Sequence, residues 1–210
     1  MSETIILVPG IGLGGLEFLM LARQLRKQEY DVKIFWKNPW RASLASSAKA
    51  LHDFLSKQPT SHLVAHSFGG VVVLKMLQDY PQQAVRNVVM LGSPLAGCLA
   101  AQRVLKIPFG AWLLGEGLTR TCLEPNLVIP QGLKVGSIAG RLNFLLGFIL
   151  CPQKMNDTLI CVEETKLPYL SDHCILNVTH SSLLVSKQVV TQTVYFLRHA
   201  MFSINGECIK

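Results

Sequence analysis

Charge is scarce in this chain: of 210 residues only 16% are Asp, Glu, Lys or Arg, against 50% that are hydrophobic. So apolar a chain can bury enough surface to offset the entropy of ordering it, which excludes an intrinsically disordered segment. Blocks of like charge are missing as well, because the basic residues are scattered as Arg23, Arg26, Lys27, Lys33, Lys37, Arg41 and onward. The net charge of +7 therefore reads as a solvated basic surface, with transient attraction to an acidic membrane surface or substrate as the sharper alternative. No motif for nucleic-acid binding accompanies it, so nucleic acid is not an expected partner. Long apolar runs are also lacking. The closest, residues 144–150, falls far short of the roughly 18 residues that a membrane-spanning helix needs.

The six cysteines show no C-x-x-C spacing, and no His/Cys/Asp/Glu cluster has the spacing of a metal site, so no metal is expected. Met1-Ser2-Glu3-Thr4 runs directly into Ile5-Ile6-Leu7-Val8 without the charged and long apolar regions of a secretory signal. The expectation is a cytoplasmic chain whose cysteines are reduced thiols.

What is present is an alternation of short apolar runs with longer amphipathic ones. The length predicts one domain over residues 1–210 with a substantial core. Strands are expected at 4–8, 32–36, 62–65, 85–91, 133–139 and 174–178. Helices are expected at 16–28 (through Leu16, Leu19, Met20, Ala22 and Leu25), 44–57 with Ser43 as N-cap, 69–80 stopped by Pro81, and 182–199. Several strands are continuous apolar runs of the kind buried on both faces. The pattern predicts an α/β fold, a mostly parallel sheet of about six strands with helices on both faces.

Ligands of such sheets sit beyond the carboxyl ends of the strands. After the first strand comes Pro9-Gly10-Ile11-Gly12-Leu13-Gly14-Gly15. Its Gly10-x-Gly12-x-x-Gly15 loosely matches a dinucleotide fingerprint, but no acidic residue closes the second strand, where Trp36 is followed by Lys37-Asn38. No cofactor is expected, and the glycines instead let the backbone present an N–H to a substrate oxygen. After the third strand, Ala65-His66-Ser67-Phe68-Gly69-Gly70 has the layout of a nucleophile elbow, with small residues two before and two after the serine. Asn156-Asp157 follows the fifth strand, and Thr179-His180-Ser181 the sixth.

Ser67, Asp157 and His180 supply the types that nucleophilic catalysis requires. A serine hydroxyl needs a base within hydrogen-bond reach. Imidazole titrates near neutrality and can take that proton and return it. A carboxylate fixes the imidazole tautomer and stabilises its cation. The backbone N–H groups of Ile11 and Phe68 are the expected oxyanion donors. Other carboxylates and histidines have plainer expectations. Asp172 and His173 open the sixth strand, at the wrong end of the sheet, and pair with each other. Glu163 and Glu164 sit on a solvated face, His66 packs beside the elbow, and His52, His62 and His199 lie on the surface or on helix faces.

Five segments in this order resemble the α/β-hydrolase superfamily, specifically its small bacterial lipase and esterase members without a large cap domain. They are Val8-Pro9-Gly10-Ile11-Gly12, the elbow, Leu91-Gly92-Ser93-Pro94-Leu95-Ala96-Gly97, Asn156-Asp157-Thr158-Leu159-Ile160-Cys161-Val162, and Asn177-Val178-Thr179-His180-Ser181-Ser182. The match spans about residues 5–198. Pro9, Ala65 and Thr158 depart from the usual His, Gly and Gly, and each departure touches backbone geometry. The resemblance implies an α/β-hydrolase fold and hydrolysis of hydrophobic carboxylic esters or lipids through an acyl-enzyme on Ser67. The same triad could serve an acyltransferase or thioesterase, or stand idle in a binding protein. The apolar connection 98–150 reads as core helices or as a small lid or pocket wall, with Leu13, Pro94, Leu95, Ile107, Phe109 and Trp112 as candidate pocket residues.

Overall fold

A computed structural model of the chain describes residues 2–12, 14–40, 42–123, 126–152, 154–204 and 208–209. Among these residues six strands form one sheet: β1 (Thr4–Val8), β2 (Asp31–Ile34), β3 (Ser61–His66), β4 (Val85–Leu91), β5 (Lys134–Gly140) and β6 (Asp172–Leu176). Their order is β2-β1-β3-β4-β5-β6, and every pairing is parallel. The helices are α1 (Leu19–Arg26), α2 (Leu44–Leu55), α3 (Phe68–Asp79), α4 (Leu99–Val104), α5 (Gly110–Leu123), α6 (Leu145–Leu150) and α7 (Lys187–His199).

Side chains alternate across a strand, so each strand feeds two cores. Ile5, Leu7, Val64, Val89 and Ile138 share one with Leu21 and Leu25 of α1 and Val189 and Phe196 of α7. Ile6, Val8, Leu63, Val88 and Met90 share the other with Leu51 of α2 and Val71 and Leu74 of α3. Each fully buried aliphatic side chain contributes about 1.5–3 kcal/mol, which is why the central strands read as unbroken apolar runs. Ser43 caps α2, its hydroxyl accepting the Ser46 N–H at 3.2 Å. No helix among the described residues is long and apolar enough to cross a membrane.

Several local expectations shift. The 16–28 segment opens as a 3-10 turn, Leu16–Phe18, before α1 begins. The tighter turn changes the phase, so Phe18, Leu21, Ala22 and Leu25 face the core while Leu16, Leu19 and Met20 are exposed. His62 is buried, because β3 is an inner strand between β1 and β4, and its Nδ1 accepts the Asn87 N–H. Nor are all the cysteines reduced. Cys174 and Cys208 form a disulfide with a Cα–Cα distance of 5.3 Å, because the chain end returns along β6 through an Ile175–Ile209 bridge.

Segment 98–150 supplies α4, α5 and α6, with β5 between them. α5 bends at Gly115 (φ 76°), where a Cβ would collide with the Trp40 carbonyl. The three helices pack through Ala101, Leu114, Leu118 and Leu150 against Cys98, Cys151 and Cys161. This layer stands beside the carboxyl ends of the central strands.

Candidate active site

The chain leaves β3 at Ser67 in a conformation that side chains rarely adopt, φ 53° and ψ −129°. Such a backbone costs on the order of 1–3 kcal/mol and persists only where its surroundings dictate it. Here the surroundings are backbone. The Ser67 N–H donates to the Leu91 carbonyl at 2.9 Å, and α3 starts at the next residue. A Cβ on Gly69 would strike the Val8 carbonyl and lie 2.7 Å from that of Pro9. One on Gly10 would lie 2.9 Å from the His66 carbonyl and from Ser67 Cβ, and 3.1 Å from Phe68 N. Both glycines are thus required for the β1 turn to lie on the elbow. Ala65 stays in the regular β3 ladder, paired with Val8 and Met90, and its methyl is fully buried without strain.

Two N–H groups border this contact. That of Phe68 opens α3, where the first turn has no intrahelical acceptors. That of Ile11 has no hydrogen-bond partner among the described residues. Proximity to Gly10 places the Ile11 segment against the helix start.

Asp157 lies beyond β5 and is 1% exposed. Its Oδ1 accepts the N–H groups of Leu159 (3.1 Å) and Ile160 (2.8 Å), while Oδ2 lies 2.8 Å from His180 Nδ1. The His180 N–H also donates to the Asp157 carbonyl at 2.8 Å, so the two residues are held by main chain and side chain together. A carboxylate accepting at Nδ1 requires the proton there, and in the neutral ring that tautomer has Nε2 as the acceptor. Ser67 and His180 face one cavity, and no hydrogen bond joins them in this structure. Unliganded sites commonly show such a gap. Thr158, beside the acid, carries φ 101°, a value suited to glycine.

Two positions behind this pair were not legible as site residues. Gly92 ends β4 with φ 55°, and a Cβ on it would lie 2.7 Å from Leu183 Cδ1, 3.0 Å from Asp157 Oδ2 and 3.2 Å from His180 Nδ1. Gly140 ends β5, where a Cβ would meet the Val178 carbonyl and lie 2.8 Å from Asp157 Cβ. The sequence trace they leave is a glycine closing each of two adjacent strands, Gly92 within the Leu91–Gly97 segment. His66 adds a third support. Its Nε2 donates to the His180 carbonyl at 3.1 Å, and its ring lies 4.7 Å from that of His180. Burial, with a smaller contribution from the nearby His180, pushes the His66 imidazole down to about 3, so it is neutral.

The cavity above Ser67 has a volume of about 490 Å³. Ile11, Gly12 and Glu17 border it from the loop after β1, and Val104, Leu113, Leu114, Leu118, Leu150 and Leu159 supply its apolar wall. Of the expected pocket residues, Pro94 lines it. Leu95 does not, being fully buried in the core beneath α3. Ile107, Phe109 and Trp112 do not either: they point outward, with Phe109 85% exposed. Trp112 stands edge-on to Trp40, whose Nε1 donates to the Leu113 carbonyl, and the next residues, Leu113 and Leu114, border the cavity, Leu113 while still 53% exposed. Leu13 lies outside the described residues.

The competing titratable groups are elsewhere. Asp172 and His173 begin β6, at the opposite edge. The Asp172 carboxylate accepts the N–H groups of His173 and Phe202, so Asp172 and His173 pair through the main chain, while the His173 ring bonds to Thr165 Oγ1 at 2.8 Å. Glu163 is solvated beside Lys166. Glu164 turns inward, accepting the N–H groups of Leu99 and Cys161, and burial raises its pKa.

No protein-family model matches the sequence, and no curated protein does so either. Solved structures do. A lipase of Bacillus licheniformis, BlEst2 in its mature form, superposes with a TM-score of 0.75 at 18% identity, over 95% of this chain and 92% of that one. A metagenomic carboxyl esterase, MGS0156, gives 0.67 at 20% identity, over 85% of this chain and 64% of its own. The NocB thioesterase domain gives 0.58 at 18% identity, over 95% of both chains. At these identities the likeness fixes the fold, which is that of the α/β-hydrolases.

Proposed function

We propose that this chain of α/β-hydrolase fold is a serine hydrolase that cleaves carboxylic esters with hydrophobic acyl groups through an acyl-enzyme on Ser67. The observation that carries the reading is a strained serine at the floor of an apolar cavity that also holds a histidine bound through Nδ1 to a buried carboxylate. The lipase and esterase among its structural neighbours support the reaction class.

In the first half-reaction Ser67 Oγ bonds to the ester carbonyl carbon while His180 Nε2 takes its proton. Asp157 stabilises the imidazolium and holds its orientation. The oxyanion is held by the N–H groups of Ile11 and Phe68, and losing one such donor costs about 3–4 kcal/mol of transition-state stabilisation. Collapse breaks the carbon–oxygen bond to the alcohol, which leaves with the proton from Nε2. Water then adds to the acyl carbon, giving a proton to Nε2, and Ser67 Oγ departs and regains it. The acid product is released and the enzyme is restored.

The acyl chain lies against Leu114, Leu118 and Leu150. None of the described residues lining the cavity is Lys or Arg. A thioester on a phosphate-bearing carrier finds no cationic anchor there, which favours a simple ester. The outward-facing Ile107, Phe109 and Trp112, with Arg103 and Lys106 nearby in sequence, suit substrates presented from a lipid surface. The test is hydrolysis of p-nitrophenyl esters from two to sixteen carbons. Wild type turns over the shorter members, and Ser67→Ala loses at least about 10³-fold in kcat. A Ser67→Ala protein as fast as wild type overturns the assignment.

A further inference from the structure

A second carboxylate faces the cavity. Glu17, in the turn between β1 and α1, is half-buried and borders the same space as Ser67 and His180. Its Oε2 accepts the Gly15 N–H at 3.0 Å, and its Oε1 lies 3.5 Å from where a Cβ on Gly12 would stand. The charge is therefore folded against the loop that carries Ile11. Among the described residues it has no ion-pair partner, and the cavity lining offers no Lys or Arg. His66, the imidazole deepest in the site, is neutral.

The brace on Gly15 explains an acceptor at this position but not a charge, because the side-chain amide of glutamine accepts the same N–H. What the charge adds is a fixed negative field in a largely apolar cavity, in a chain whose net charge is +7. Low-dielectric walls strengthen such a field, drawing cations in and repelling anions. The cavity is thus polarised. Its wall from α4, α5 and α6 is apolar, and Glu17 is the carboxylate that shares the cavity with Ser67 among the described residues.

We propose that the site selects esters whose alcohol portion carries a cationic group, a quaternary or primary ammonium. The acyl chain lies on Leu114, Leu118 and Leu150, and the ammonium lies beside Glu17. This rests on the ester-hydrolase reading and names its substrate class. It also accounts for a site without basic residues, since anionic headgroups are rejected at the leaving-group end.

The test compares two butanoate esters of equal shape, that of choline and that of its uncharged carbon isostere, 3,3-dimethylbutanol. The ratio of kcat/KM values, choline ester over isostere, is expected to be about tenfold higher in wild type than in Glu17→Gln, where only the inductive activation of the leaving alcohol by the ammonium remains. Glu17→Gln keeps the brace, and a ratio taken within one protein is insensitive to the fraction folded. A purely structural Glu17 would shift both substrates together and leave the ratio unchanged. A wild-type ratio of one or less, or the same ratio in both proteins, overturns the inference. Calorimetric binding of the two intact esters to Ser67→Ala reads the same preference without turnover. If that preference holds while no ester is hydrolysed, the hydrolase reading fails alone. If esters are hydrolysed and neither measurement favours the cation, only the inference fails.

Discussion

Replacing Gly92 by alanine perturbs the site without replacing any reacting group. The new methyl would lie 2.7 Å from Leu183 Cδ1 and 3.0 Å from Asp157 Oδ2. Ordinary contacts between carbons begin near 3.5 Å, so Leu183 must retreat by about 0.8–1 Å and the carboxylate by about 0.5 Å. The Asp157–His180 bond is 2.8 Å long, and a shift of that size breaks its alignment. A misplacement of about 1 Å in a catalytic group costs about 10²-fold in rate, against about 10⁴-fold when the carboxylate's role is removed entirely. The φ of 55° adds a folding cost of about 1–2 kcal/mol for a residue with a Cβ. Gly92→Ala is therefore expected to lose about 10²-fold in kcat on p-nitrophenyl butanoate while its thermal midpoint falls by only a few degrees. Assays of kcat and thermal unfolding on the same preparation check this. A folded variant within threefold of wild-type kcat would refute the claim that Gly92 holds the acid–histidine pair in place.

The remaining predictions separate chemistry from scaffold. Asp157→Asn is expected to lower kcat by roughly 10³–10⁴-fold. Asp172→Asn, at a carboxylate that accepts N–H groups at the far end of β6, is expected to cost about 1–2 kcal/mol of stability with kcat unchanged; the reverse pattern would reassign the acid. Thr158→Gly relieves a φ of 101° and is expected to raise stability by about 1 kcal/mol, or about 2–4 °C, so a fall in midpoint would refute the strain. His66 is held neutral by burial at about 3, and on unfolding it returns to its ordinary 6.5. Between those values the unfolded chain binds the extra proton. Stability is therefore full above about pH 6.5 and falls as pH drops, by up to about 1.4 kcal/mol per pH unit from this group. Urea midpoints from pH 7 to 4 measure it, and His66→Asn, which keeps a donor for the His180 carbonyl, should flatten the slope by one proton.

How far the sequence was readable follows from which signals are local. A strand of unbroken apolar residues and a serine between small residues state their own geometry, so β1, β3 and β4 and the elbow were visible. Asp157 and His180 were visible because each follows a strand of a parallel sheet, and chain order then brings them to one edge. Gly92 and Gly140 were hidden because a glycine's need for space depends on what lies opposite, here a carboxylate some 65 and 17 positions away in the chain. The pocket wall was misread for a related reason. Around Ile107, Phe109, Trp112, Leu113 and Leu114 almost every residue is apolar, so composition could not say which of them border the cavity. Trp40 docking on the Leu113 carbonyl and the bend at Gly115 shape this segment. The Cys174–Cys208 bond depended on the chain end returning to β6, which no spacing rule encodes.

The central claim is that Ser67 is a nucleophile, and covalent capture tests it most directly. Wild type treated with a fluorophosphonate should gain the mass of one adduct, and digestion should place it on the peptide carrying Ser67. Ser67→Ala should gain none, and Asp157→Asn should label far more slowly. A wild-type protein that stays unlabelled, or an adduct that persists in Ser67→Ala, would contradict the account.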